Sequence, residues 1–226
     1  MLTRVLNRIR KLNLARAQSP RESFALAELD LKLLSYLNFK RGTYIEAGAN
    51  DGIDQSNTYY FEKYMDWRGL LVEAIPDLAD RCRTNRPHSI VENAALVPFG
   101  YEQAYVDMTY CNLMSIVKGA RKSEAEDLDH IRRGCEVQSI ESYELRVPAR
   151  TLNSILEQHQ IGDIDLFSLD VEGFELNVLR GIDFDKYRPR FILVEANFPP
   201  EIDSFLAPVY EPIGMLSKLD VLYKAR

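Results

Sequence analysis

The segment 44–52, which reads YIEAGANDG, constrains the fold of this chain more than any other stretch. Its first two residues are aromatic and β-branched, as in a strand that is covered on both faces of a sheet. An acidic residue ends the strand, and a Gly-x-Asn-x-Gly turn follows, where glycine permits a tight backbone and a close ligand. Residues 55–64 have the composition of a helix. Strand, glycine turn and helix in this order are typical of α/β folds that bind a nucleotide.

A second acidic residue lies at the end of the next predicted strand. Glu73 follows the apolar residues 70–72 and stands 21 residues after Gly52. At about this distance (~20 residues), dinucleotide-binding folds place an acid that accepts hydrogen bonds from ribose hydroxyls. Two acid-terminated strands around a glycine turn therefore favour a ligand that contains adenosine. The alternative is a glycine turn and a strand-end acid without any ligand.

Composition limits the other classes of function. The net charge of −6 and the pI near 5.2 argue against nucleic-acid binding, which requires a basic face. Cys82, Cys111 and Cys135 are widely spaced and show neither a disulfide framework nor a zinc pattern, so we expect a reducing, cytoplasmic location. The chain contains no run of about 18 apolar residues that could span a membrane.

Residues 1–20 differ from the rest of the chain. They contain five basic residues and no acid, with apolar residues at helical spacing. This pattern predicts a basic amphipathic arm that lies on an anionic membrane surface or on a partner, or else an exposed arm. We predict that residues 21–226 form one domain and that residues 21–37 form a helix over the sheet.

The remaining pattern alternates strands with helices, except in one region. Residues 98–147 break the alternation, with short antiparallel strands and then a polar excursion at residues 118–136 that resembles a lid. Thr151 is the expected N-cap of a helix over residues 152–159. Further strands are predicted at residues 89–92, 164–170 and 191–197, with a closing hairpin at residues 209–213 and 219–223. The alternation predicts a doubly wound sheet that binds ligands at the carboxyl ends of its strands.

That edge of the sheet would gather acidic and amide side chains. The set is Glu46, Glu73, Asn93, Asp170, Glu172, Glu195 and Asn197. An acid-rich rim repels the pyrophosphate of NAD but attracts a cationic sulfonium. The charge pattern therefore favours S-adenosylmethionine as the cofactor.

The sequence also resembles the FkbM family of S-adenosylmethionine-dependent methyltransferases. The resemblance rests on residues 45–52, 72–74, 93–96, 147–152 and 164–175, the last with an Asp-Val-Glu-Gly-x-Glu core. It implies an α/β fold of the class I methyltransferase (Rossmann-like) type. This fold is doubly wound, with a mostly parallel seven-stranded sheet, helices on both faces and a closing antiparallel hairpin. It further implies O-methylation of a hydroxyl on a sugar, glycan or small natural product.

The resemblance assigns cofactor-binding residues as well. It implies that Glu73 holds the ribose, that Asn93 lies by the adenine, and that the methionine end is cradled by Glu46, Gly48, Asn50 and Gly52.

The reaction itself needs a group that accepts the proton of the acceptor hydroxyl, since an alcohol is a poor nucleophile at neutral pH. Asp170 and Glu172 are our candidates, although Asp170 could instead fix a loop and Glu172 could be a helix N-terminal acid. Asp170, Glu195 and Asn197 also resemble the Mg²⁺ ligands of catechol-type methyltransferases. This is a secondary alternative, in which the metal would replace the base.

Two other classes of function stay open at this point. One is a NAD-dependent or nucleotide-sugar oxidoreductase on the same kind of sheet, and the other is a non-catalytic nucleotide-binding module. The acceptor is expected to be a small molecule or a glycan, and no sequence signature identifies it.

Overall fold

The computed structural model describes residues 22–121, 123–196 and 199–226. The strands are β1 (Thr43–Ala47), β2 (Arg68–Glu73), β3 (Ile90–Asn93), β4 (Ala95–Leu96), β5 (Tyr105–Tyr110), β6 (Ile116–Val117), β7 (Tyr143–Arg150), β8 (Leu166–Leu169), β9 (Phe191–Glu195), β10 (Tyr210–Met215) and β11 (Asp220–Ala225). The helices are α1 (Leu29–Leu33), α2 (Tyr59–Met65), α3 (Pro76–Asn85), α4 (Glu124–Gln138), α5 (Leu152–Gln158), α6 (Glu175–Leu179) and α7 (Pro199–Leu206), with 3-10 turns at Leu26–Glu28 and Asn112–Met114.

The main sheet has seven strands in the order β10-β11-β9-β8-β1-β2-β3. Five neighbouring strands of this sheet are parallel, namely β9, β8, β1, β2 and β3. Strand β11 runs antiparallel to β9 and forms a hairpin with β10. This arrangement confirms the predicted fold class, including the closing hairpin.

Alternate residues of β1 face the two sides of this sheet, as the period of a strand requires. Ile45 and Ala47 belong to a core that includes the buried residues of α5, α6 and α7. Tyr44 belongs to a second core on the opposite face, with residues of α1 and α2. Both faces of the sheet are therefore covered by helices, which leaves the strand ends as the place for a site.

A smaller sheet in the order β4-β7-β5-β6 lies between the third and fourth parallel strands in the sequence. Its strands β5 and β6 are antiparallel, as predicted. The polar segment that we expected to be an excursion instead contains α4, which begins after the N-cap Ser123. Its mixed charges form ion pairs along an exposed helix face, such as those that join Asp129 to Arg132 and Arg133.

Two predicted helices are shorter than expected. The helix over residues 21–37 is reduced to α1 and a 3-10 turn, because the buried Asp30 carboxylate accepts hydrogen bonds from Ser23 Oγ and the Phe24 amide and folds this segment back. The helix over residues 55–64 begins only at Tyr59. Gln55 has a left-handed backbone (φ 60°) and forms a bridge with Ala25.

In the described ranges, none of the helices has both the length and the apolar character that a membrane span requires. The basic arm predicted at residues 1–20 lies outside the described residues.

Candidate active site

A cavity of about 330 Å³ opens at the carboxyl ends of β1, β2, β8 and β9. The glycine turn after β1 forms one side, together with the end of β2 and the first residues after β8. The opposite side consists of the 3-10 turn Asn112–Met114 and of the end of α4, through Val137 and Gln138. The predicted ligand edge of the sheet therefore does carry a cavity.

Gly48 brings the glycine turn into contact with the end of β8. Its backbone is left-handed (φ +81°), and a Cβ at this position would lie 1.8 Å from the carbonyl oxygen of Asp170. The Asp170 amide in turn donates to the carbonyl oxygen of Ala47 over 3.2 Å. Only glycine allows this approach, which places Asp170 beside the turn.

Glu73 is fixed by two backbone amides. Its carboxylate accepts from the Asn50 amide over 2.7 Å and from the Ile75 amide over 2.8 Å. Burial nevertheless raises the pKa of Glu73 to about 7. Gly48, Asn50 and Glu73 all line the cavity, as expected for residues predicted to contact a cofactor.

The cavity lining does not include Glu46, Gly52 or Asn93, for which a direct contact with the cofactor is predicted. The buried Glu46 carboxylate accepts hydrogen bonds from the hydroxyls of Ser56 and Thr58. A Cβ on Gly52 would meet the side chains of α3 and Arg86. The side-chain amide of Asn93 donates to the carbonyl oxygens of Glu73, the last residue of β2, and of Ala74. These residues shape the cavity walls from outside.

The residue that organises this outer layer, Arg86, carried no signal in the sequence. Its side chain is completely buried and donates to the Gly52 carbonyl oxygen over 2.8 Å and to Glu62 over 2.7 Å. Its guanidinium also lies 3.8 Å from the Glu46 carboxylate. A buried charge of this kind requires such partners, and together they hold the glycine turn in place.

Three carboxyl groups meet at the other end of the cavity. Asp170, Glu172 and Glu195 each place an oxygen within 4.8 Å of the others. Asp170 is an exposed residue of the cavity lining, yet desolvation by the surrounding protein raises its pKa well above the usual range. The charges of Glu195 and Glu172 and a hydrogen bond with Glu195 raise it further. Burial and the charge of Glu195 raise the pKa of Glu172 to about 8. Asn197, the third predicted metal ligand, lies outside the described residues.

The turn that carries these acids is fixed by Glu175. Glu172 has a left-handed backbone (φ 57°), and so does the following Gly173 (φ 106°). The buried Glu175 carboxylate accepts from the amides of Val171 and Gly173, which closes the turn. The last acid of the Asp-Val-Glu-Gly-x-Glu core, Glu175, is therefore the one that fixes the loop.

Two nitrogen-bearing side chains from the region of the smaller sheet, Arg121 and His130, approach Glu172, and no sequence pattern predicted either contact. Arg121 Nη2 lies 3.5 Å from a Glu172 oxygen and lowers the pKa of that carboxyl against the larger effect of burial. His130 Nε2 lies 3.5 Å from the same oxygen and 3.0 Å from the Met114 carbonyl oxygen. Burial lowers the pKa of His130 and favours its neutral form.

The ionisable carboxyl side chains of the cavity lining have no basic counterpart among the described lining residues. Among the lining residues that the structure describes, no Lys, Arg or His occurs, whereas five are acidic: Asp54, Glu73, Asp170, Glu172 and Glu195. Apolar and small side chains such as Ala74, Ile75 and Met108 complete the lining. This donor set fits an adenosyl ligand with a positive charge and disfavours a pyrophosphate.

A doubly wound sheet with this strand order and a cavity at its carboxyl edge has the architecture of the class I methyltransferase fold. The family model described as "Methyltransferase FkbM domain" matches residues 46–217, which is most of the chain. The chain therefore belongs to the FkbM methyltransferase family.

The solved structures to which this chain is similar include methyltransferases. A TehB-like S-adenosylmethionine-dependent methyltransferase from Corynebacterium glutamicum is 12% identical, with a TM-score of 0.43, and the match covers 97% of this chain and 96% of that one. Methyltransferase FkbM from Methylobacillus flagellatus is 14% identical, with a TM-score of 0.47, over 84% of this chain and 45% of that one. Precorrin-6y C5,15-methyltransferase from Geobacter metallireducens is 11% identical, with a TM-score of 0.45, over 88% and 89%. The search of curated proteins gives no match.

Proposed function

We propose that this protein transfers a methyl group from S-adenosylmethionine to a hydroxyl of a sugar, glycan or small natural product. The observation that carries the proposal is the cluster of three carboxyl groups beside Gly48, at one end of an acidic cavity. Bound S-adenosylmethionine supplies an electrophilic methyl group, so the main task left to the protein is to place the acceptor oxygen.

Gly48, Asn50 and Glu73 are the residues that would hold the cofactor. Glu73 is oriented by the amides of Asn50 and Ile75, and its remaining lone pairs are available to ribose hydroxyls. The apolar residues around Ala95 and Met108 would cover the adenine. The acids at the other end would lie near the positive charge.

Asp170 is the proposed general base. Burial, together with the mutual repulsion of the three carboxyl groups, keeps a proton in the cluster at a higher pH than an isolated carboxyl would. A carboxylate with raised proton affinity is better suited to accept the proton of a hydroxyl near neutral pH. Glu172 and Glu195 would act mainly by setting this affinity.

The acceptor is proposed to be uncharged where it enters the cavity. An acceptor with a phosphate next to the reacting hydroxyl would meet five acids and no described basic residue of the lining. Hydroxyl groups, in contrast, can donate hydrogen bonds to carboxylates and to the amides of Asn112 and Gln138.

The same three carboxyls favour a second route to the same reaction. Their oxygens lie close enough together to bind one divalent cation, and carboxylate oxygens are the ligands that Mg²⁺ prefers. A bound cation would lower the pKa of the acceptor hydroxyl and make a base unnecessary. Loss of turnover with EDTA and its recovery with Mg²⁺ would select this route, whereas turnover in EDTA would select the base.

Calorimetry separates the proposal from the two other classes of function. We expect the protein to bind S-adenosylhomocysteine and not NADH or a UDP-sugar, and we expect Glu73→Ala to weaken that binding. Asp185→Ala removes the same charge at an exposed site and should leave the affinity unchanged. Tight NADH or UDP-sugar binding would support an oxidoreductase. Cofactor binding without methylation of any neutral acceptor would support a non-catalytic module.

A further inference from the structure

Cys111 and Cys135 are far apart in the sequence but adjacent in the structure. Cys111 follows β5 and is buried, whereas Cys135 lies on α4 and is only half-buried. Their sulfur atoms are 3.5 Å apart. The two thiols are therefore in contact, although no disulfide joins them.

The backbone around this pair is closely packed. Gly134 has no side chain, and a Cβ there would lie 2.5 Å from Cys111 Sγ, so a larger residue at this position would prevent the close approach of the helix to the end of β5. One turn of the helix away, Gln138 donates to the Cys111 carbonyl oxygen over 3.0 Å. The thiols thus sit where α4 is held most tightly against the smaller sheet.

This junction is part of the cavity wall. The 3-10 turn Asn112–Met114 begins directly after Cys111 and lines the cavity, as do Val137 and Gln138 at the end of α4. Asn112 also donates to Gln138 over 2.9 Å and accepts from the Asn50 amide group over 3.4 Å. A bond between the two cysteines would consequently fix the wall that faces the glycine turn.

We propose that Cys111 and Cys135 form a reversible redox pair, whose disulfide ties α4 to the cavity wall when a hydroperoxide oxidises the protein. The more accessible Cys135 reacts first: its thiolate attacks the peroxide oxygen, which yields a sulfenic acid and releases hydroxide or water. The Cys111 thiol then attacks the Cys135 sulfur, the S–S bond forms, and the hydroxyl leaves with the thiol proton as water. Two thiols and one hydrogen peroxide give one disulfide and two waters.

The order of these steps follows from the surroundings of each thiol. Burial raises the pKa of Cys111 to about 12, so this group is a poor first nucleophile. It needs no access to solvent for the second step, since its partner sulfur already lies beside it. Disulfides in reducing compartments are usually transient or redox-sensing, and a thiol reductant would reverse this one.

Cys82 provides the internal control. It is completely buried in the core of the opposite sheet face, and burial raises its pKa to about 12 as well. It lies next to Gly52 and contributes nothing to α4. Its removal should leave the proposed bond unaffected.

The test uses the full chain treated with hydrogen peroxide and then with dithiothreitol. Intact mass should show the loss of two hydrogen atoms, and non-reduced peptide mapping should join the peptides of Cys111 and Cys135. Cys82→Ala should form the same bond, whereas Cys135→Ser and Cys111→Ser should not. Cys135→Ser changes a half-exposed residue, so the comparison does not depend on how well Cys111→Ser folds.

Hydrogen exchange then tests the structural consequence without any enzyme assay. Amide exchange in residues 111–115 and 130–138 should slow several-fold in the oxidised protein and recover after dithiothreitol. Three results would overturn the proposal: over-oxidation of Cys135 without a disulfide, a disulfide between two chains, or exchange that is unchanged in the oxidised form. Because neither readout involves methyl transfer, these results leave the proposed function to its own tests.

Discussion

The two walls of the cavity are built on different principles. The wall on the side of the main sheet consists of strand ends and short turns, and hydrogen bonds to the backbone fix it. Gly48 packs closely against the Asp170 carbonyl oxygen. The Glu73 carboxylate accepts hydrogen bonds from two backbone amides. Such a wall has little freedom to move, because any shift would disturb the parallel sheet itself.

The facing wall depends on side chains. The end of α4 is joined to the Asn112–Met114 turn by Gln138, by His130 and by the contact of two thiols. Its outer surface is exposed and charged. From this difference we infer that the two walls have different roles. The sheet wall would position the cofactor, whereas the helical wall would adapt to the acceptor and could be altered by oxidation.

Breaking the sheet wall should have the largest effect. Gly48→Ala introduces a Cβ that overlaps the Asp170 carbonyl oxygen at a left-handed backbone, so we expect a loss of about 3 kcal/mol or more in unfolding free energy. Binding of S-adenosylhomocysteine should be lost with it. Gly100→Ala is the matched control, since it has a similar φ and open space around it, and should cost about 1 kcal/mol. Chemical denaturation and calorimetry measure both quantities, and equal effects at the two glycines would refute the close-approach argument.

A change at the cluster should separate chemistry from binding. Asp170→Asn should lower turnover by about 10²–10⁴-fold, the usual contribution of a general base, while affinity for S-adenosylhomocysteine is retained. Asp54→Asn alters another acid of the same cavity outside the cluster and should keep most of the turnover. Steady-state kinetics with a neutral acceptor measures the difference. Unchanged turnover in Asp170→Asn would remove this residue from the role of base.

The pH profile of turnover should sharpen the assignment within the cluster. The base must be deprotonated to act, so turnover should fall as the pH drops through the raised pKa of Asp170. Glu172→Gln removes a charge that raises the pKa of Asp170. The rising limb of the profile should therefore move to lower pH, and a limb that stays in place would show that Glu172 does not tune the base.

A substitution in the helical wall should have the smallest effect on binding and turnover. Gln138→Ala removes the hydrogen bonds from Asn112 and to the Cys111 carbonyl oxygen, each worth about 1 kcal/mol. We expect a rise of about tenfold in the acceptor KM and no change in cofactor affinity. The exposed Gln103→Ala should have no effect on either constant. A larger loss of cofactor affinity than of acceptor affinity would contradict the division between the walls.

The sheet wall was largely predictable from the sequence, because local patterns specify it. Acid-terminated apolar strands and the glycine turn were sufficient to place Glu73 and Asp170 at one edge. What local patterns could not supply was the direction of each side chain. Glu46 lies in β1, two residues before Gly48, but its carboxylate is buried outside the cavity lining, where the hydroxyls of Ser56 and Thr58 donate hydrogen bonds to it.

The helical wall was mostly missed for a related reason. Residues 118–136 are polar, and their hydrophobic pattern is too weak to indicate the face that packs against the smaller sheet. The ion pairs at helical spacing around Asp129 were the available signal for α4. The approach of Arg121 and His130 to Glu172, and of Cys111 to Cys135, depends on tertiary packing between distant segments, which no single-sequence pattern encodes.

The most direct test of the central claim is a crystal structure with S-adenosylhomocysteine bound. The proposed function predicts the ribose hydroxyls on the Glu73 carboxylate, the methionine end beside Gly48, and the sulfur facing Asp170 and Glu172. A ligand bound outside this cavity, or one that turns its sulfur away from the carboxyl cluster, would contradict it.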